Sequence, residues 1–180
     1  SLPELLDVSE IQNDTVQGDC KVVIDVGGTT DRVIADAQLS SEVISYQHHA
    51  LGEMNLNAHL DGRELRMRGA VVAGLEGDMS LRMGDRWPME FSLRAEQFQA
   101  APLFGLSSDE LTIALNGNVR VTGELLFPER IAAKGRVDRL TLGRQDVSIA
   151  SSEPSDFSWT RDSFEVHSLR LQGETTNMTL

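Results

Sequence analysis

Apolar residues alternate with polar residues along most of this 180-residue chain, and this period of two constrains the fold more than any other feature. Side chains two residues apart point to the same face of a β-strand, so the pattern predicts strands with one apolar and one polar face. The apolar positions on the shared parity are Val22, Ile24, Val26, Val33, Leu39, Met54, Leu56, Leu60, Leu65, Met67, Met79, Leu81, Met83, Met89, Phe91, Leu93, Leu111, Ile113, Leu115, Val119 and Val121. Charged residues such as Arg66, Arg82 and Glu90 take the opposite parity and predict a solvated outer face.

Glycine-containing dipeptides separate the alternating runs. Asp61-Gly62 is the clearest, and Gly27-Gly28, Gly84-Asp85 and Gly173-Glu174 resemble it. Such dipeptides suit tight connections between antiparallel strands. The sequence therefore predicts an all-β fold, built as a long antiparallel meander of roughly a dozen strands.

One segment interrupts the alternation and predicts a short helix. Residues 95–106 contain Phe98, Leu103 and Phe104, and Pro102 limits the helix to one or two turns. The segment separates a first β stretch, 19–94, from a second one, 107–180. Because no flexible linker accompanies it, we expect a single β-rich segment over 1–180.

Composition excludes several classes of function. The chain has 28 acidic and 16 basic residues, a formal charge of −12, which argues against binding to nucleic acid or anionic membrane surfaces. The only cysteine, Cys20, excludes an internal disulfide and a cysteine-based zinc site. No apolar run approaches the ~18–20 residues of a membrane-spanning helix.

No pattern of catalytic or metal-binding residues emerges. His48 and His49 are neighbours, so on a strand they point to opposite faces and cannot share a metal. Segment 27–30, Gly-Gly-Thr-Thr, lacks the lysine and the helix of a phosphate-binding loop. The acids Asp109 and Glu110 have no neighbour that would tune a pKa. We predict no catalytic residue, no metal and no cofactor, and hence a protein that is not an enzyme.

The apolar face must be covered by something, and the sequence leaves three possibilities open: the sheet itself, closure into a barrel, or a bound lipid. Aromatic residues make up only 5% of the chain, so aliphatic side chains and methionines dominate this face. Methionine adapts to irregular shapes. The methionines therefore either fill an ordinary core or line a surface for flexible apolar ligands.

Two segments carry a more specific pattern. Segment 115–142 reads as Gly, an alternating strand, Gly-x-Leu, a proline, a second alternating strand and Leu-x-Leu; segment 164–180 reads as a strand followed by Leu-x-Leu-x-Gly. Both resemble the repeats of AsmA-like proteins, particularly the translocation and assembly module (TamB) family. The apolar helix expected at 95–106 resembles the interruptions of those repeats. Phe127 departs from the pattern, because many family members have a polar residue before the proline.

The resemblance implies a curved, taco-like sheet with an apolar groove, lined by the alternating residues named above. It implies a periplasmic location, in a longer protein anchored to the inner membrane, of which this chain is an internal segment. The implied function is to carry or shield phospholipid acyl chains between the inner and outer membranes, in support of outer-membrane biogenesis. The implied partner is the outer-membrane barrel of the same module.

Two other functions remain open at this point. One is an elongated structural β-solenoid or adhesin-like spacer with a dry core. The other is a closed, lipocalin-like binder of small apolar ligands. The second lacks the Gly-x-Trp of the lipocalins, because Trp87 and Trp159 lie far downstream of the first predicted strand.

Overall fold

A computed structural model describes residues 4–6, 16–106, 111–144, 147–173 and 177–179. These residues form one 15-stranded antiparallel sheet and a short 3-10 helix, η1 (Ala101–Phe104). The strands are β1 (Glu4–Leu6), β2 (Val16–Gln17), β3 (Lys21–Gly28), β4 (Val33–Tyr46), β5 (His49–Asp61), β6 (Glu64–Val72), β7 (Leu75–Arg82), β8 (Pro88–Gln99), β9 (Thr112–Glu124), β10 (Phe127–Arg144), β11 (Val147–Ser151), β12 (Ser155–Trp159), β13 (Phe164–His167), β14 (Arg170–Gly173) and β15 (Asn177–Thr179). The predicted all-β antiparallel meander is confirmed.

Chain order and spatial order agree along the sheet. Strands β3 to β10 pair consecutively, β1 lies beside β3, and β11, β14 and β15 follow β10. Strand β12 pairs with β10 and β13, and β2 pairs with β4. Strand β12 therefore lies in line with β11 along one edge of β10, and β2 lies in line with β3 along one edge of β4. Among the described strands, the two ends of this order do not pair with each other. The sheet is open, and a closed lipocalin-like barrel is therefore wrong for this chain.

A line of irregular pairing crosses the sheet, and we call it the crease. Register shifts fall within 41–44 of β4, 70–72 of β6, 95–98 of β8 and 137–139 of β10. The ladders place these shifts close to one another, since Gly117 of β9 faces both Ala95 and Val137. A β-bulge bends its strand and increases the local twist. Aligned bulges therefore bend the sheet along one line.

The short helix η1 lies where the β6–β7 hairpin stops at the crease. It contacts both β5 and β9, which are separated in the sheet by three strands. The hairpin turn itself is tied to both sides, because the Ala73 amide donates to the Leu51 carbonyl at 3.3 Å and the Gly74 carbonyl accepts from the Glu96 amide at 2.9 Å. The helix thus spans the space beyond the end of the hairpin.

The main buried core lies next to η1. It contains Val72, Ala95, Phe98 and Ala100, against which four partly buried side chains pack. These four are Leu51, Leu75, Ile113 and Leu115. This cluster of buried apolar residues therefore lies next to η1, whereas Leu81, Leu171 and Ser155 are buried elsewhere in the sheet.

The predicted helix over 95–106 is wrong in its extent. Residues 95–99 complete β8, and only Ala101–Phe104 are helical. A bulge at Gln97, with φ of 51°, returns Phe98 to the apolar face. The Gln97 amide donates to the Asn116 side chain at 2.8 Å. Pro102 lies in the first turn of the short helix, and Gly105 ends the helix in the left-handed conformation that glycine adopts without strain.

Gly135 of β10 leaves room for an aromatic ring on the next strand. An added Cβ would lie 2.4 Å from Cζ of Phe157 and 2.6 Å from the Asn118 carbonyl oxygen. Because both contacts are too short, we expect Gly135→Ala to lower the free energy of unfolding by about 1–3 kcal/mol, measured by urea denaturation.

Gly27→Ala in β3 is the matched control, because no atom lies within 4 Å of the added methyl group. We expect Gly27→Ala to be neutral or slightly stabilising. Equal losses in the two variants would show that the ring contact is not the cause.

Candidate functional site

Ladder register joins the predicted apolar positions into continuous rows. In the central row, Met67 faces Met79, Met79 faces Phe91, and Phe91 faces Val121. Directly opposed residues share a face of the sheet. The whole central row is Ile24, Ala37, Ala58, Met67, Met79, Phe91, Val121, Ala133, Trp159 and Phe164.

Two further rows flank the central one, and the three together are called the apolar face. One row is Val26, Ala35, Leu60, Leu65, Leu81, Met89 and Gly123. The other is Val22, Leu39, Leu56, Gly69, Gly77, Leu93, Val119, Gly135, Phe157 and Val166. The spacing between rows is two residues, as the alternating sequence requires.

The remaining predicted residues lie at the margins of this face. Val33 faces Gly28, and Met54 faces Ser41. Ile113 and Leu115 lie beyond the crease, where they pack against the buried core. Met83 and Leu111 lie just outside strands β7 and β9. All other predicted lining residues are in strands.

Sequence reasoning missed the aromatic end of the apolar face. Phe157 and Trp159 on β12 continue two of the rows, and Phe164 on β13 ends the central one. The Phe157 and Phe164 rings lie 6.3 Å apart between centroids. The alternation Phe157-Ser158-Trp159 is the signal that identifies them. This alternation covers only three residues and directly follows the loop-like segment 151–156, so it does not stand out as a strand in the sequence.

The apolar face is only partly covered by the protein. Most of its side chains are half-buried, and within the described ranges no large side chain falls below 2% exposure. Phe164 is 65% exposed and Val26 is 57% exposed. A contiguous exposed apolar surface of this kind marks a site for a ligand or a partner.

The opposite face carries charged side chains in cross-strand pairs. Glu64 accepts from Arg82 at 2.6 Å, and Nδ1 of His59 lies 2.7 Å from Asp36. Arg120 pairs with Glu90. A shallow depression of about 590 Å³ on this face is lined partly by charged side chains, including Arg68 and Asp78. Exposed pairs contribute little each, about 0–1 kcal/mol, and keep this face in water.

Five turns border one side of the apolar face, and we call them the charged rim. They connect β3 to β4, β5 to β6, β7 to β8, β9 to β10 and β12 to β13. Four of them carry an acid and an arginine in the turn or beside it, and at the β9–β10 turn, Leu125-Leu126, the corresponding acid and arginine lie near the start of β10. In chain order these residues are Asp31 and Arg32, Asp61 and Arg63, Asp85 and Arg86, Glu129 and Arg130, and Arg161 and Asp162.

Ion pairs link neighbouring turns of the charged rim. Arg32 donates two hydrogen bonds to Asp61, at 2.6 and 2.5 Å. These hydrogen bonds hold the pKa of the Asp61 carboxyl below its ordinary value, whereas desolvation of the carboxyl acts in the opposite direction. Arg86 and Arg130 both reach Glu124, at 3.5 and 2.7 Å. These pairs therefore connect the β3–β4 turn with the β5–β6 turn, and the β7–β8 turn and the start of β10 with the end of β9.

The opposite rim of the apolar face, over the stretch from β4 to β9, differs in chemistry from the charged rim. Its described turns are Gln47-His48 and Ala73-Gly74, and η1 follows; none of these contains an acidic or basic residue other than His48. The contacts of η1 with β5 and β9 cover this side. Among the described residues, the apolar face is thus bordered on one side by η1 and by turns without an acid or an arginine, and on the other side by charge.

Other chemistry is scarce in the part of the chain that the structure describes. There, no three His, Cys, Asp or Glu side chains converge as a metal site would require, and no helix is long and apolar enough to cross a membrane. The acids Asp109 and Glu110 and residue 174 of the Gly173-Glu174 turn lie outside the described residues.

Comparison with known protein families, with curated proteins and with solved structures finds no match for this chain. The features of this chain that bear on function are therefore its apolar face, its two rims and the sequence pattern of 115–142 and 164–180.

Proposed function

We propose that this chain is a segment of a lipid-binding bridge, whose apolar face carries or shields phospholipid acyl chains. The observation that carries the proposal is the central row from Ile24 to Phe164, which crosses ten strand positions without a charged residue and stays partly exposed. A spacer with a dry core would bury these side chains. The partial exposure favours a ligand over that alternative.

The dimensions of the apolar face fit acyl chains. Nine steps between adjacent strands, at about 4.8 Å each, make the central row about 43 Å long. One leaflet of a bilayer has an apolar thickness of about 15 Å, half of the full hydrocarbon core. The row is therefore long enough for several lipids side by side, with their chains directed along the strands.

The chemistry of the face suits weak, non-specific retention. Burial of each methylene contributes about 0.8 kcal/mol, so a handful of them holds a lipid without a specific contact. Met67 and Met79 at the centre adapt to chains of different shape. Similar side chains recur from strand to strand, so the binding free energy of a lipid changes little along the row and the lipid can move from one strand to the next.

The wider setting follows from the resemblance to AsmA-like and TamB repeats. We place the chain in the periplasm, within a longer protein anchored to the inner membrane, where it supports outer-membrane biogenesis. Its protein partner is the outer-membrane barrel of the same module. The open sheet and its meander order agree with the fold that the resemblance implies.

Native mass spectrometry of the chain purified without detergent from bacteria tests the proposal. We expect bound phospholipid in the purified protein and uptake of a fluorescent fatty acid when lipid is removed. A folded chain that is free of lipid, and that refuses the fluorescent fatty acid, contradicts the proposal and favours the structural spacer.

A further inference from the structure

We infer that the charged rim selects phospholipids with zwitterionic headgroups over those with anionic ones. The inference rests on the proposed lipid-binding function and adds the class of lipid to it. It follows from the orientation that the two rims impose on a bound lipid and from the balance of charges at the charged rim.

The two rims fix the direction of a bound lipid. A headgroup stays near water and charge, and the described side chains of η1 are all apolar, with Ala101 and Pro102 buried and the other two exposed, so η1 offers a headgroup no charged partner. The charged rim is the side that remains. From Glu64 at this rim to Ala70 at the crease, six residue steps of about 3.3 Å span about 20 Å. An acyl chain of about 15 Å fits this span.

The charged rim has no surplus of positive charge. Its five arginines are matched by five acids, and Glu124 adds one more acid beside the β9–β10 turn. The chain as a whole has a formal charge of −12. An anionic headgroup gains no net attraction from such a surface. A zwitterionic headgroup places its phosphate on a guanidinium and its ammonium on a carboxylate.

Part of the rim is available to a ligand. Arg63 and Arg161 are exposed, as are Asp31, Asp85 and Asp162. Within the described ranges, none of these five is in an ion pair, whereas Arg32, Asp61, Arg86, Arg130 and Glu124 are. The paired residues connect neighbouring turns. The others present both signs of charge next to the apolar face.

A vesicle competition measures the selectivity. The chain is incubated with vesicles of equal parts phosphatidylethanolamine and phosphatidylglycerol, separated from them, and its bound lipid is quantified by mass spectrometry. We expect phosphatidylethanolamine to be enriched at least about threefold, a difference of about 0.7 kcal/mol or more. A rim variant with Asp31→Lys, Asp85→Lys and Asp162→Lys should reverse the preference.

A second triple variant controls for net charge. Asp25→Lys, Glu53→Lys and Glu76→Lys change the charge equally, at exposed positions in the strands and away from the rim. We expect this variant to keep the preference of the unmodified chain.

The outcomes separate the inference from the proposed function. Lipid bound in the vesicle ratio by all three proteins overturns the inference and leaves lipid binding intact. The same holds if both triple variants shift the preference equally. Absence of any bound lipid from the folded, unmodified chain contradicts the proposed function itself.

Discussion

Replacing Met79 with glutamate should reduce the phospholipid retained by the chain at least about tenfold, a loss of about 1.4 kcal/mol or more. Met79 lies at the centre of the central row, between Met67 and Phe91 on the neighbouring strands. A carboxylate here would be covered by acyl chains, and removing a charge from water costs several kcal/mol. Bound lipid per protein, measured by native mass spectrometry, gives the result.

Ser80→Glu is the matched control for this variant. Ser80 is the next residue of the same strand, but it is exposed and lies on the charged face between Arg66 and Glu90. We expect Ser80→Glu to retain lipid like the unmodified chain, and Met79→Leu to do the same. Circular dichroism verifies that each variant is folded. Equal lipid loss in folded Met79→Glu and Ser80→Glu would show that the apolar face is not the ligand face.

Phe98→Ala should lower the free energy of unfolding by about 3–5 kcal/mol, because it removes the largest side chain of the buried core. Phe98 is 5% exposed and packs with Val72, Ala95 and Ala100 below η1. The cavity would separate the end of β8 from β9. Urea denaturation, followed by far-ultraviolet circular dichroism, measures the loss.

Phe104→Ala removes the same side chain six residues later. Phe104 lies in η1 but is 68% exposed, so we expect a change of no more than about 0.5 kcal/mol. A similar loss from both substitutions would mean that the core described beside η1 does not dominate stability.

The sequence predicts the apolar face well because alternation depends only on local geometry. The parity of Leu65 and Met67, together with the Asp61-Gly62 turn, is enough to set the register of β5 and β6. Once each hairpin has its register, the rows across the sheet follow without any long-range information. Parity predicts that these residues share one face, and the structure places them there.

The bulges and the rims were not predictable in the same way. Whether Gln97 forms a bulge depends on Asn116 of the next strand, which accepts its amide hydrogen. The prediction of a helix over 95–106 is wrong because the bulge at Gln97 lets strand β8 continue past Ala95. The link between Arg32 and Asp61 joins residues 29 positions apart, and nothing local to either residue indicates it. Such features arise only when hairpins lie side by side.

The meander order has a consequence for how the chain reaches its fold. Each strand pairs mainly with the strands next to it in sequence, so most contacts across the sheet join the two strands of one hairpin or of neighbouring hairpins. Low contact order of this kind speeds folding, because short loops close at a small entropic cost. Stability in such an array is close to a sum over neighbouring pairs. Hairpins can therefore fold one after another as the chain is synthesised, and added hairpins would lengthen the array without disturbing those already formed.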